Sequence, residues 1–425
     1  MDELKKEKSK LEKQKEIGIC LFMVLAYFMF AAPIYVLQQP LFDRYDFYIR
    51  AAVVFVLLAA YLREVLRTRR IDPLLIAYNL YAGILIIATL RSGGALATAL
   101  WQRWLIADAF ILLFYFSMQQ DRQKIFLRIV FWTLAILILW DAKTTLVPKE
   151  LWADDFSNIV FRNYNNKLPF YLPAIMIGYL IWEESGHDKT AWKSRAFLLF
   201  YIGLQVLMVV TVVYCHAVTT TMILCVFLLY LWLCAGSRMM QKFYSASATL
   251  FSLLFFYLEV WKAYSLGFIG RLTALVGKNA TFSGRTPIWQ VTSEFVRQKP
   301  LLGYGVMEPA ARKSLLLDVY VSSYAHNMYL NTLFEAGIFG LMTKVAVMLL
   351  AVRRAWKVEN IRIRSCLIGG FVSYLAAAQF EDYSETVFLT LIALMYYYRG
   401  FSVKVTALEN TGESEKLDIK ERKSV

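Results

Sequence analysis

Between residues 282 and 341 the chain reads FSGRTPIW (282–289), PLLGYG (300–305) and HNMYLNTLFEAGIFGL (326–341). These blocks lie in one long polar insertion of a chain that otherwise reads as membrane spans. Of its 425 residues, 59% are hydrophobic and 16% aromatic, and the mean hydropathy is +0.48. An insertion of about sixty residues in such a chain demands a reason, because irregular backbone survives at a membrane only where water or protein satisfies its polar groups. The insertion is the expected place of work.

Outward from it, apolar runs of about twenty residues recur, each enough to cross about 30 Å of hydrocarbon. Twelve spans are expected, at 17–38, 47–66, 72–90, 97–118, 124–146, 168–183, 196–214, 217–236, 244–263, 333–352, 365–380 and 385–400. The expected fold is an all-α polytopic membrane protein of about 12 transmembrane helices with a long external loop between spans 9 and 10. Its parts are a charged cytoplasmic arm (1–16), spans 1–9 (17–263), the external loop that carries the site (264–332), spans 10–12 (333–400) and a cytoplasmic tail (401–425). A soluble fold is excluded by this composition.

Basic residues orient the chain. Of the 46 Lys and Arg, 29 fall on one set of connections: the N-terminal arm, Arg63–Arg70, Arg122–Arg128, Lys189–Arg195, Arg238–Lys242, Arg353–Arg364 and Arg399 onward. By the positive-inside rule that face and both termini are cytoplasmic. The arm precedes an apolar run too long for a signal-peptide core, with no small-residue cleavage signal nearby. The tail alternates acid and base without an apolar face and reads as flexible. A net charge of +14 spread over membrane-edge loops fits anionic lipid headgroups rather than nucleic acid, for which no role is expected.

The five cysteines lie in or beside apolar spans, without a CxxC pair, so neither disulfides nor structural zinc are expected. Neither a phosphate-binding GxxxxGK[ST] loop nor a GxGxxG turn after a strand occurs, and no cofactor is expected. Three outward segments are polar enough to form a site: Asp141–Lys167, the turn at 214–217, and the 264–326 loop. A site there has no access to cytoplasmic nucleotide sugars or ATP. Its substrate must arrive already activated.

SGRTPIW, then KPLLGYG about ten residues later, then HN opening a helix with E-x-G-I-x-G-L, resembles the O-antigen ligase and Wzy-type polysaccharide polymerase superfamily. The likeness extends to the twelve-span layout and the late external loop. It implies a metal-independent glycosyltransferase of the bacterial cytoplasmic membrane, with its site on the outer face; a base and a cation on opposite sides of the anomeric carbon would make the transfer inverting. Such an enzyme moves a glycan from an undecaprenyl-diphosphate carrier to an acceptor hydroxyl. The polymerase hands the glycan to another lipid-linked repeat unit and the ligase to lipid A–core; a polymerase is the favoured reading, in a capsular, exopolysaccharide or O-antigen system. Expected partners are the lipid-linked oligosaccharide, membrane lipids, and chain-length regulator and flippase proteins.

In that reaction negative charge grows on the leaving diphosphate, where a fixed cation helps most. Arg285 is the leading catalytic candidate, since a guanidinium grips two phosphate oxygens at once; the bland alternative is an arginine on lipid headgroups or a loop acid. His326 is the second, as general base or phosphate ligand, against an interfacial histidine that merely packs on its helix. Asn327, Asn331 and Glu335 share one helix face, which either orients His326 or holds the loop. Gly303 and Gly305 suit a tight turn, while Trp289 and Tyr304 either stack on sugar or pack.

The family usually carries an arginine at the outer start of span eight, and this chain has Cys215-His216-Ala217 there. His216 either takes over phosphate contact or is a hydrogen-bonded intramembrane histidine. Arg162, Arg271 and Arg91 are the available substitutes. FRNYNN, with Asn163 and Asn165, resembles the family's asparagine-bearing segment before span six, whose amides suit sugar hydroxyls. Two other classes stand beside this reading. A polyprenyl-phosphate-sugar glycosyltransferase would use an acid in the first external loop, such as Asp43 or Asp46. A lipid-linked glycan flippase or transporter would show inverted repeats and mid-membrane charges, for which only Lys344 and Arg103 qualify.

Overall fold

The structure is a computed structural model that describes residues 2–33, 39–119, 122–147, 167–185, 192–262, 284–315 and 324–400. Among the described residues every regular element is helical. In chain order these are α1 (Asp2–Ala31), α2 (Pro40–Thr68), α3 (Pro73–Ser92), α4 (Leu96–Ser117), α5 (Gln123–Leu146), α6 (Leu168–Glu184) and α7 (Trp192–Tyr214). There follow α8 (Val218–Cys234), α9 (Arg238–Trp261), α10 (Arg285–Gln298), α11 (Pro309–Leu315), α12 (Met328–Ala355), α13 (Ile361–Ala377) and α14 (Glu385–Tyr397).

A helix stands over each expected span. Six are long and apolar enough by length and composition to cross a membrane: α3, α4, α5, α7 from Arg195, α9 and α12. Glu16–Ala31, α8 and α14 are shorter apolar helices. The long insertion is not irregular throughout, because α10 and α11 stand in it. The arm at the N-terminus is continuous in backbone with the first apolar helix.

Local chemistry explains where helices begin. Asp72 caps α3 by accepting from the amides of Leu74 (2.9 Å) and Leu75 (3.3 Å), with Pro73 at the first helical position, where its missing N–H costs nothing. Ser237, Asn327 and Asn360 cap α9, α12 and α13 in the same way. In α4, residues Ala99–Leu105 wind as a π-helix, a form that recurs at functional sites, and carry Arg103.

The element that positions everything else is α12, which packs against α3 and α14. It is broken at Gly337 (φ 61°, ψ −163°). A break inside an apolar bundle strands backbone groups that cost several kcal/mol each in a medium without water. The PLLGYG segment supplies the missing partners. Tyr304 and Gly305 donate their amides to the carbonyls of Phe334 (2.7 Å) and Glu335 (2.8 Å), and the amides of Ile338 and Phe339 donate to the carbonyls of Pro300 (2.8 Å) and Leu301 (3.3 Å). The segment then reaches α3, where Val306 donates to Thr89 Oγ1 (2.9 Å) and accepts from Ala95 (2.8 Å). So close an approach needs glycine on both sides. A Cβ on Gly303 would lie 2.4 Å from the Phe334 carbonyl oxygen, and one on Gly337 would lie 2.3 Å from the Leu301 carbonyl. The polar loop is thus part of the helical core.

Candidate active site

α10 begins at Arg285, behind Gly284 in the left-handed region (φ 85°). One turn on, Trp289 is fully buried and donates its indole N–H to the Ala325 carbonyl (2.9 Å). That bond ties the first turn of α10 to the residue before His326. His326 itself takes φ 49°, and Asn327 then caps α12 by accepting from Leu330 N (2.9 Å).

The connection between α13 and α14, residues 378–384, is stitched along this start of α12. Met328 N donates to Ala378 O (2.9 Å), Asn327 Nδ2 to Gln379 O (2.9 Å), and Asn331 Nδ2 to Asp382 Oδ2 (2.6 Å). The stitching delivers Glu381 between the two leading candidates. Glu381 Oε1 lies 3.0 Å from His326 Nδ1, and Oε2 lies 3.2 Å from Arg285 Nη2. The Glu381 side chain is 5% exposed, against 15% for Arg285 and 20% for His326. A buried carboxylate therefore underlies a guanidinium and an imidazole that still reach the surface.

Burial alone would raise the pKa of Glu381. The hydrogen bond and charge of His326, with the Arg285 guanidinium, more than offset it and hold Glu381 below the usual carboxylate range. Glu381 is an anion at neutral pH and can only accept hydrogen bonds. His326 Nδ1 therefore donates to it, and an imidazole held this way carries its lone pair on Nε2 when neutral. The Tyr324 ring packs on the imidazole, with centroids 4.3 Å apart.

Beneath this trio lies a second set of charges. Glu335 Oε1 takes Arg312 Nη1 (3.3 Å) and Asn331 Nδ2 (3.2 Å), while Oε2 faces Arg103 Nη2 (3.6 Å). Glu385 Oε2 in turn meets Arg103 Nη1 (3.6 Å) and Lys344 Nζ (3.3 Å). Arg312 also donates to Asn331 Oδ1 (2.5 Å) and lies over the Phe334 ring. Burial and the Glu335 carboxylate push Asp382 up to about 6. Charges in a low-dielectric interior persist when paired, and here Arg103, Arg312 and Lys344 balance Glu335, Asp382 and Glu385. This cluster is the floor on which Glu381 stands.

Of the residues singled out from sequence, Arg285 and His326 meet through Glu381. Asn327 is a helix cap, and Glu335 belongs to the buried cluster with Asn331. Trp289 and Tyr304 are packed inside, Tyr304 stacked on Phe334 with centroids 5.0 Å apart. His216 occupies the exposed α7–α8 turn with φ 52°, and no described residue hydrogen-bonds or ion-pairs with its imidazole. Nearby, Lys167 and Asp141 form a buried pair at 2.6 Å. Arg162, Asn163, Asn165 and Arg271 lie outside the described residues. The sequence reading missed Glu381, Asp382 and Glu385. Their signal was present as FEDYSE (380–385), three acids in an otherwise apolar stretch.

Residues 189–344 match the model of a family described as O-antigen ligase. That stretch, a little over a third of the chain, is similar to the O-antigen ligase family. This is the family that the motifs of the insertion resembled, and it points to a membrane enzyme of the ligase and polymerase kind. No curated protein matches the chain significantly. The matched stretch begins just ahead of α7, includes His216, Arg285, His326 and Glu335, and ends at Lys344. Glu381 is outside it, so the two leading candidates in the matched stretch are joined by a carboxylate from the connection between α13 and α14.

Proposed function

We propose that the protein is a metal-independent, inverting glycosyltransferase that moves a glycan from undecaprenyl diphosphate to an acceptor hydroxyl, as a polysaccharide polymerase on the outer face of a bacterial cytoplasmic membrane. The observation that carries this reading is the Glu381 carboxylate held at once by His326 Nδ1 and Arg285 Nη2. It gives the imidazole one fixed hydrogen bond and a negative charge to stabilise the imidazolium, an arrangement suited to a general base. Arg285 uses one of its five N–H groups on Glu381. The rest remain for phosphate oxygens.

In the step this supports, the acceptor hydroxyl gives its proton to His326 Nε2 and its oxygen bonds to the anomeric carbon. The bond from that carbon to the diphosphate oxygen breaks on the opposite side, and the bonding pair leaves with the diphosphate against the Arg285 guanidinium. One in-line displacement inverts the configuration. No metal is called for, because Arg285 supplies the cation. His216 stands free at the outer turn to make a further phosphate contact when protonated.

The family description favours a second reading, a ligase that uses the same donor and residues with lipid A–core as acceptor. Purified enzyme given labelled undecaprenyl-diphosphate oligosaccharide with either acceptor separates the two. Transfer to neither would overturn both. In the same assay Arg285→Lys is expected to lose most of its turnover while keeping its fold, because an ammonium does not reproduce a two-pronged grip on the diphosphate. Near-normal turnover in that variant would remove Arg285 from the site.

A further inference from the structure

Far from the candidate active site, α1 and α5 enclose a groove of about 490 Å³ lined by Val24, Ile125, Arg128, Ile129, Trp132 and Ile136. Its walls are apolar except for Arg128 and the Thr133 hydroxyl. That side chain is exposed, and no described residue gives it a hydrogen bond or ion pair. We propose that the groove binds one anionic glycerophospholipid, with the phosphate on Arg128 and an acyl chain along Ile129, Trp132 and Ile136.

Three physical points support this occupant. The first is depth. α5 has 24 residues, about 36 Å at 1.5 Å each, against about 30 Å of hydrocarbon, so roughly 3 Å overhangs at each end. Arg128 lies five residues in from Gln123, about 7.5 Å along the axis, which sets its Cα a few ångström below the headgroups. Its long side chain reaches the phosphate level by snorkelling.

The second is length. From Arg128 to Ile136 is eight residues, about 12 Å, which fits within the roughly 15 Å of one leaflet. The groove therefore holds a single chain descending from a single headgroup. The third is charge. The end of α5 at Arg122–Arg128 belongs to the basic set of connections, the face that meets anionic lipid. Lys124 stands one helical turn from Arg128 on the same side. A guanidinium in an apolar wall is costly unless paired, and a phosphate monoanion without its own ammonium satisfies it best through two parallel hydrogen bonds. A zwitterionic headgroup brings a competing cation.

The test is native mass spectrometry of the full chain in detergent, with phosphatidylglycerol, phosphatidylcholine or undecaprenyl phosphate added singly and in equal mixture. The expected result is one tightly held phosphatidylglycerol, retained over phosphatidylcholine. Arg128→Gln should weaken that binding roughly tenfold, as loss of a charge-assisted hydrogen bond does. Val24→Trp, which fills the groove and leaves the charge in place, should lower occupancy as well. Both positions are exposed, and unchanged thermal unfolding confirms that the variants fold. Equal retention of both phospholipids, or phosphatidylglycerol held undiminished by Arg128→Gln, would mean ordinary annular lipid and overturn the site. Preference for undecaprenyl phosphate would overturn the assignment of its occupant.

Discussion

His326→Ala is expected to lower turnover about 10²–10⁴-fold, the range for removal of a general base, with little change in donor binding. The imidazole contributes only as the proton leaves the acceptor, so its loss should appear in kcat rather than in affinity. Glu381→Gln tests the other half of the couple. Glutamine keeps the size and can still accept from His326 Nδ1, but it carries no charge to stabilise the imidazolium, and its NH2 opposes Arg285. Its turnover should fall by a smaller factor than that of His326→Ala. Once His326 is gone Glu381 has no imidazolium to stabilise, so Glu381→Gln should slow the His326→Ala enzyme less than it slows the parent, the remainder being the loss at Arg285. NMR of the product linkage should show an anomeric configuration opposite to the donor's. A retained configuration would sink the single displacement, and an active His326→Ala enzyme would sink the base even if inversion were found.

The helices were legible because hydropathy over about twenty residues is a local signal, and α3, α5 and α12 begin where Asp72, Gln123 and Asn327 lead into apolar runs. The two ends of the candidate site were legible as well. Arg285 and His326 are a guanidinium and an imidazole set beside the quoted motifs of the polar insertion. Glu381 was hidden for the opposite reason. It sits 55 residues beyond His326 in a short connection between two apolar helices, and only tertiary stitching by Asn327, Met328 and Asn331 brings it under the imidazole. The stripe of Asn327, Asn331 and Glu335 was read from helical spacing, which fixes a shared face but not what the face meets. That face meets Gln379, Asp382, Arg312 and Arg103. The glycines of PLLGYG suggested a turn, and the turn proves to be docked in a broken helix, a relation between distant segments that no local pattern carries.

That docking is the basis of the largest stability effect expected in the chain. Gly337→Ala places a methyl group 2.3 Å from the Leu301 carbonyl carbon and oxygen, and backbone on both sides leaves no flexible side chain to yield. The residue also sits at φ 61°, which costs about 1–2 kcal/mol for any side chain. Pushing the loop away breaks the bonds from Ile338 to Pro300 and from Tyr304 to Phe334, each leaving buried groups unpaired at about 1–3 kcal/mol. The sum is on the order of 5 kcal/mol, enough to unfold a protein of ordinary stability. Gly303→Ala, which meets the Phe334 carbonyl from the other side, should do the same, and the two should not add because they undo one docking. Gly83→Ala and Gly203→Ala are the controls, since a Cβ at either position meets nothing within 4 Å and alanine is the better helix former by about 1 kcal/mol. Thermal unfolding in detergent is the measurement: the controls should hold or gain stability while both docking variants lose it. A Gly337→Ala protein that melts with the parent would mean that α12 tolerates a continuous helix, and the loop would then have no claim to hold His326 in place.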